Sequence, residues 1–326
     1  MNDIFTRVDS LHPLPVALTL VASHFHLGTI QKHTPILTGY QDCNVDITTD
    51  KGRFVVKFFS SEKTKERIHD VVSAHSACTL AHIPMPELIM GNGDSYILEI
   101  PGKLHPSYVC VFSYVDGKPL TKTPVTDSDM SNLAHIASRI HTLQKPKSRY
   151  YDTMGIINVP NEYKLKHDAL SADEQSEIAP VVSKLSRIKF SDFHQSVIHG
   201  SLEKENILKT ADGGLSILDL GCMDYNASIL DIATLIANMT IYTPEEKRRH
   251  SIHEIITSYT KTSPISDKEL SALPTLIRAQ YAAYIIAMTH HMRIDHDMTK
   301  QTQTWLDRGW DGFRSYKSYT KVKLEG

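Results

Sequence analysis

Apolar positions in the first third of this chain alternate in short runs; further on they recur at helical spacing. Residues 13–27, with Leu18, Leu20, Val21 and Phe25 after Pro13-Leu14-Pro15, predict a first helix that Gly28 stops. Ile36-Leu37-Thr38, the alternating run from Asn44 to Thr49, and Arg53 to Phe59 beyond the Asp50-Lys51-Gly52 turn predict an antiparallel meander. A helix over 61–82 comes next and ends at Ile83-Pro84-Met85-Pro86, because proline disfavours the helical region in the residue before it. Glu87 to Ile100 and Tyr108 to Val115 read as further strands, the second apolar enough for a sheet interior. Past Asp116-Gly117-Lys118-Pro119 the pattern changes. Leu133, Ile136, Ala137, Ile140 and Leu143 place a helix over 127–144, with Asp127 or Ser128 as its N-cap. Residues 145–170 read as a polar loop and 171–190 as a helix. Helical stretches over 228–241, 244–260 and about 267–293 precede a polar tail containing Trp305 and Trp310. The expected fold class is α+β, with a strand-rich unit over 1–115 and a mainly helical one over 116–326.

One segment of the helical part breaks its periodicity. Between Val197 and Asp231 the runs Ile207-Leu208 and Leu215-Ser216-Ile217-Leu218 are separated by Asp212-Gly213-Gly214, a strong hairpin signal. His199, Ser201 and Asn206 stand before the first run and Asp219 after the second. A phosphoryl-transfer site needs a cation on the non-transferred phosphates, oxygen ligands for Mg²⁺, and a group that positions or deprotonates the acceptor hydroxyl. Asn206 and Asp219 are an Mg²⁺ ligand pair by residue type, since that ion takes one or two carboxylates and carbonyl-type oxygens, with phosphates and water completing its shell. Lys57 interrupts an otherwise apolar strand. Its ammonium either meets an anion or faces water from a sheet edge.

Four motifs in order carry a resemblance. His199-Gly200-Ser201-Leu202-Glu203-Lys204-Glu205-Asn206-Ile207-Leu208, followed by Asp219-Leu220-Gly221 and Asp231-Ile232-Ala233, resembles the aminoglycoside phosphotransferase and choline kinase family, whose pattern is H-G-D-L-H-x-x-N-h-L, h-D-h and D-h-A. Gly39-Tyr40-Gln41-Asp42-Cys43-Asn44 with Arg53-Phe54-Val55-Val56-Lys57-Phe58 is similar to its phosphate-covering hairpin and lysine strand. Phe112 to Gly117 looks like its hinge, and Leu133 to Leu143 like its L-A-x-x-L-x-x-L-H-x-L helix. The G-Y-Q-D-x-N loop and D-L-G ending are similar to homoserine-kinase-like and hydroxylysine-kinase-like members.

The resemblance implies a two-lobed protein-kinase-like fold, with a small antiparallel-sheet N-lobe and a mainly helical C-lobe. It implies an ATP- and Mg²⁺-dependent phosphotransferase acting on a hydroxyl of a small amine- or amino-acid-like metabolite. Lys57 would bind the α and β phosphates. Gly39, Tyr40, Gln41 and Asp42 would lie over them, main-chain groups near Phe112 and Tyr114 would hold adenine, and Asn206 and Asp219 would hold the metal. His199 and Asp231 would brace the loop.

Two departures open another reading. The family's catalytic aspartate falls on Ser201, and a hydroxyl of ordinary pKa cannot accept a proton at neutral pH as a carboxylate does. Glu203 substitutes for it if the segment is extended, because alternate residues then face one side. The helix after the lysine strand lacks the usual glutamate; Glu66, Asp70 and His75 are the nearby candidates. The alternative is a pseudokinase that binds nucleotide or a metabolite and acts by conformation or through contact with a protein partner.

Composition narrows this little. At 326 residues, with 41% hydrophobic and 22% charged residues and a net charge of −2, the chain is an ordinary globular one with no basic excess for nucleic acid or an anionic membrane. Cys43, Cys78, Cys110 and Cys222 stand apart among apolar neighbours and read as buried free thiols of a reducing compartment. Without a signal-like start or a membrane-length apolar run, a cytoplasmic protein is expected. The His290–Asp297 cluster reads as a solvated helix end, a metal site, or a contact for a cationic acceptor through Asp295, Asp297 and Asp307. Trp305 and Trp310 would then serve as cation–π faces.

Overall fold

The computed structural model describes residues 4–37, 39 and 41–319. Contacts divide the chain into two units, Met1–Lys118 with Leu208–Leu218, and Pro119–Ile207 with Asp219–Gly326.

The first unit begins with helix α1 (Leu14–His24) and strands β1 (Ile30–Ile36), β2 (Cys43–Thr49) and β3 (Gly52–Phe58). Helix α2 (Lys65–Leu80) follows, then β4 (Leu98–Ile100), β5 (Ser107–Ser113) and β6 (Gly117–Pro119). Strands β1 to β5 form an antiparallel sheet in the order β1-β2-β3-β5-β4. Val45, Ile47, Val56, Phe58, Val109 and Val111 pack from it against Leu18, Val21 and Phe25 of α1 and its exit. Strand β1 begins at Ile30 and ends at Ile36, where the apolar signal would have it start. It is an edge strand, mostly exposed and carrying Pro35, so burial imposes no alternation on it. The strand expected from Glu87 shrinks to β4, preceded by an isolated bridge between Leu88 and Phe112.

The second unit opens with α3 (Asp127–Ile140), α4 (Val159–Lys166) and α5 (Ala172–Leu185). Thr126, not Asp127 or Ser128, caps α3, in a reciprocal box with Asp129. Helix α4 occupies part of the stretch that reads as loop. Strand β7 (Gln195–Ile198) leads to the hairpin β8 (Ile207–Thr210) and β9 (Leu215–Ile217), whose outer part groups with β6 in the first unit. Strand β10 (Asp224–Ala227) returns antiparallel to β7. Helices α6 (Ile229–Thr240), α7 (Glu245–Thr260), α8 (Asp267–Arg293) and α9 (Lys300–Ser315) complete the unit.

The expected polar tail is therefore helix α9. Its buried face is Thr302, Trp305, Gly309, Gly312 and Phe313. Two of those five positions are glycines, which carry no hydrophobic signal. They let α9 press on α8: a Cβ at Gly312 would lie 2.1 Å from the ring of Tyr281.

Candidate active site

The loop after β7 is fixed from behind by one buried carboxylate. Asp231, in the first turn of α6, accepts the main-chain N–H of His199 at 2.7 Å and of Gly200 at 2.9 Å. Its Oδ2 also meets His141 Nε2 at 3.1 Å, and His141 Nδ1 lies 2.7 Å from the Tyr259 hydroxyl. Burial works to raise the Asp231 pKa, but the hydrogen bond and charge of His141, with His199 and Gly200, outweigh it and hold the carboxylate below its ordinary value. His199 is fully buried and its Nδ1 accepts the Ser201 N–H at 3.2 Å. Gly200 has φ +82°, and a Cβ there would stand 2.3 Å from the Cys222 carbonyl oxygen.

Ser201 and Asn206 form one unit at the front of this loop. Asn206 Nδ2 donates to the Ser201 carbonyl at 3.0 Å and to Ser201 Oγ at 2.8 Å. That arrangement spends the amide's donors on the loop, so the group it has left to offer a metal is its acceptor, Oδ1. Asp219 is exposed, adopts φ 61° and ψ 92°, and caps the short turn Leu220–Cys222 by accepting Gly221 N–H at 2.8 Å. A non-glycine residue at positive φ is strained, which is common where a side chain must be aimed. The donor set of one amide oxygen and one carboxylate suits a phosphate-bound Mg²⁺, which needs no further protein ligands. Among the described residues there is no group of three or more His, Cys, Asp or Glu side chains that could hold a metal by itself.

The premise for Glu203 as a substitute base does not hold. The segment is turned, with Glu203 N–H on the Ser201 carbonyl at 2.9 Å, so alternation with Ser201 is lost. Glu203 instead accepts the Tyr284 hydroxyl of α8 at 2.5 Å. Burial, then the charge of Glu205, pushes its carboxyl up to about 7. Glu205 is held by both Nη atoms of Arg308 at 2.6 and 3.1 Å. The Arg308 guanidinium lies 4.4 Å over the Trp305 ring, which packs edge-on against Tyr284 at 4.8 Å. Trp305 and Trp310 thus face this chain's own Arg308 and Arg314 and not an incoming cation. Thr299 caps α9, with Asp297 before it accepting the Thr299 N–H and the Thr302 hydroxyl; Asp307 accepts from Gln303, and Asp295 pairs with His291.

In the first unit Lys57 pairs with Asp42, at 3.1 Å. Glu66 of α2 is exposed, and His75 bonds the Pro86 carbonyl and packs on Phe112 at 4.9 Å. Asp42 is buried, so its side chain turns inward from the loop. The carbonyl of Gly39 accepts from Arg7 at 2.8 Å, Gln41 is half-buried, and Tyr40 lies outside the described residues. In the hinge-like segment the Ser113 N–H goes to the Glu87 carbonyl and the Tyr114 N–H to the Arg53 carbonyl. The Arg53 guanidinium covers the Tyr114 ring at 3.6 Å. Phe112 and Tyr114 therefore frame the segment through packing, and their own side chains are occupied. Cys43, Cys78 and Cys110 are buried free thiols, with Cys110 pushed up to about 12 by burial, while Cys222 is only half-buried.

A small cleft opens beside Gly200 in the second unit. Asp152, Asp224, Asn226, Asp231, Thr234 and Gln280 supply its polar lining. Burial pushes the Asp152 carboxyl up to about 6, against the hydrogen bond from Met154 N–H and with the charge of Glu162. Asp224 pairs with Arg149 at 3.0 Å. Neither Asp152 nor Asp224 carries a sequence signal, since both sit in segments without periodicity.

The profile of the phosphotransferase enzyme family (APH) matches residues 32–262. The homoserine kinase of Methylobacillus flagellatus is 20% identical over 259 residues, covering 78% of each chain. That of Brucella ovis is 20% identical over 270 residues, covering 81% of this chain and 80% of the other. Among solved structures, the amicoumacin kinase hAmiN in complex with AMP-PNP, Ca²⁺ and Ami superposes with a TM-score of 0.70 at 14% identity, over 97% of this chain and 96% of that one. The choline kinase LicA from Streptococcus pneumoniae gives 0.63 at 14% identity, over 93% and 99%. The architecture is protein-kinase-like, with an antiparallel sheet in the N-terminal part and a helical C-terminal part.

Proposed function

We propose that this chain, which belongs to the phosphotransferase enzyme family, transfers the terminal phosphoryl group of ATP to a hydroxyl of a small amine- or amino-acid-like metabolite. The observation that carries the reading is the braced loop: Asp231 fixes the backbone of His199 and Gly200, and Asn206 clamps Ser201. Such a loop holds its groups in place before reaction, and preorganisation supplies much of phosphoryl-transfer catalysis.

Each role has a candidate residue in this reading. Lys57, oriented by Asp42, binds the non-transferred phosphates. Main-chain N–H groups of the Gly39–Asp42 loop cover them. The Ser113 and Tyr114 amides are engaged within the unit, so the donor to adenine falls to the next residue, Val115. Asn206 Oδ1 and the Asp219 carboxylate would hold Mg²⁺, which when bound neutralises charge on the phosphate oxygens. Ser201 orients the acceptor hydroxyl by hydrogen bonding without taking its proton. A loose transition state makes little demand on a base.

The acidic cavity beside Gly200 supports an amine-bearing acceptor, because Asp152 and Asp224 would pair with an ammonium group. The matched homoserine kinases and choline kinase are named for small-molecule substrates, which agrees with this. Calorimetric titration of ATP·Mg²⁺ into the protein and into Lys57→Ala and Asp219→Ala variants tests the reading. Binding by the natural protein alone supports it, and equal binding by all three overturns it. A panel of hydroxylated amines assayed for ADP release then identifies the acceptor.

Ser201 itself favours a second reading, a nucleotide-binding pseudokinase acting through a protein partner. ATP binding without ADP release across the panel would select it.

A further inference from the structure

The charges of the cleft beside Gly200 select among acceptors, provided that the cleft holds the acceptor as proposed. Asp224, the first residue of β10, lines the cleft and already meets a cation of its own unit. Arg149, on the loop between α3 and α4, donates from Nη2 to Asp224 Oδ2 at 3.1 Å. Its Nε stands 3.0 Å from Oδ1 without the alignment of a hydrogen bond. Oδ1 is therefore a buried acceptor with no hydrogen bond among the described residues. The Asp224 side chain is 9% exposed and that of Arg149 is 65% exposed. A buried acid thus holds an arginine whose Nη1 has no partner among the described residues. Asp152, on the same loop as Arg149, also lines the cleft, and among the described residues no ion pair neutralises it. Burial raises its carboxyl to about 6, against the hydrogen bond from Met154 N–H and with the charge of Glu162, which leaves it mostly ionised at neutral pH.

An acid in contact with an exposed arginine presents two opposite charges side by side. An α-amino acid carries the complementary pair, an ammonium and a carboxylate on one carbon. A simple amine matches only the acid, and it brings its ammonium against the guanidinium at a cost in repulsion. The planar fork of arginine also suits a carboxylate, and its separate nitrogens can serve two carboxylates at once. Neutralising Asp224 explains why an arginine is there, but not the unfilled Oδ1 or the ionised Asp152 in the same cleft. We propose that Arg149 determines acceptor specificity: its guanidinium takes the carboxylate of a small hydroxylated α-amino acid, while Asp224 Oδ1 and Asp152 take the ammonium. Asp224 then both positions Arg149 and touches the acceptor, and compounds with an amine but no carboxylate are disfavoured.

The test is calorimetric titration of paired compounds into the natural protein and into Arg149→Gln and Arg149→Lys. The pairs are L-serine with ethanolamine, L-homoserine with propanolamine, and hydroxylysine with its decarboxylated amine. Thermal denaturation of each variant separates lost binding from lost folding. In at least one pair the natural protein should bind the amino acid about tenfold or more tightly than the amine, the scale of one charge-assisted contact. Arg149→Gln should abolish that preference by weakening the amino acid alone, and Arg149→Lys should restore part of it. Equal affinity within every pair, tighter binding of the amines, or failure of every amino acid to bind would overturn the inference. So would an Arg149→Gln variant that loses both members of a pair equally, which is the mark of a purely structural ion pair. Titration of ATP·Mg²⁺ into the same proteins judges the phosphotransferase reading separately. That reading fails if the natural protein does not bind ATP, whatever its amino-acid preference, and it stands if ATP binds and the preference is absent.

Discussion

Tyr284 of α8 donates its hydroxyl to Glu203 of the active-site loop, across 81 residues of sequence, at 2.5 Å. Asn238 of α6 donates to the same hydroxyl at 3.1 Å, so the loop, α6 and α8 meet at one buried oxygen. The carboxyl at this junction is pushed up from an ordinary 4.5 to about 7, first by burial and then by Glu205.

A carboxyl whose pKa is higher folded than unfolded binds its proton more tightly in the native state. Its contribution to stability is complete below the unfolded value and is lost as pH rises through the folded one. For Glu203 that window runs from about 4.5 to about 7, and Asp152 adds a smaller share between 3.8 and about 6. Glu203→Gln keeps an acceptor for Tyr284 and carries no charge. It should be the more stable protein at pH 8, by roughly 2 kcal/mol, and nearly equal at about pH 4.5. Chemical denaturation at the two pH values checks this; a constant difference would mean that Glu203 does not titrate in that range.

Asp231→Ala removes the acceptor of two buried main-chain N–H groups and of His141. Orphaning such donors predicts a loss of about 3 kcal/mol or more in urea unfolding. In a double-mutant cycle with His141→Ala, the pair should couple by more than about 1 kcal/mol. Additive losses would show that His141 does not act through Asp231.

Arg308→Lys is the discriminating change at Glu205. The guanidinium makes two hydrogen bonds to one carboxylate and stacks on Trp305, and an ammonium can reproduce neither arrangement. Arg308→Lys should therefore be no more stable than Arg308→Ala, with both variants losing roughly 2 kcal/mol at pH 7. Recovery of stability by the lysine variant would reduce the contact to simple charge pairing.

Gly200→Ala meets both a positive φ and the Cys222 carbonyl oxygen. A loss of about 2 kcal/mol or more is expected, together with weaker ATP·Mg²⁺ binding as the loop shifts. Gly213→Ala serves as the control: it shares a positive φ, but an added Cβ meets nothing within 4 Å. If the two variants lose the same stability, the Cys222 contact is unimportant.

Ser201→Asp restores a carboxylate at the position the resemblance assigns to catalysis. If the natural protein is a slow transferase, ADP release should rise in the variant by about tenfold or more, the scale of general-base assistance being about 10²-fold and upward. No gain, with ATP binding intact, would mean that Ser201 is not what limits turnover.

The legible parts of this protein are those that local chemistry dictates. Asp212-Gly213-Gly214 between apolar runs yields a hairpin, and Leu133 to Leu143 yields the amphipathic helix α3 that delivers His141. The order of Lys57, His199, Asn206 and Asp219 is enough to suggest the family. What cannot be read locally depends on partners distant in the chain. Lys57 has Asp42 beside it because β2 and β3 pair with Asn44 across from Lys57 and the Asp42 side chain, just before β2, is buried. Whether Glu203 faces Ser201 or the core is decided by the turn at Ser201 and by Tyr284. Helix α9 is hidden from a linear reading because glycines form much of its buried face, and their fit against Tyr281 exists only once α8 is in place. Residue types and spacing determine which groups the protein brings to its candidate site. Tertiary packing alone decides what each group touches, since burial, pairing and hydrogen bonding are properties of neighbours that the linear chain does not specify.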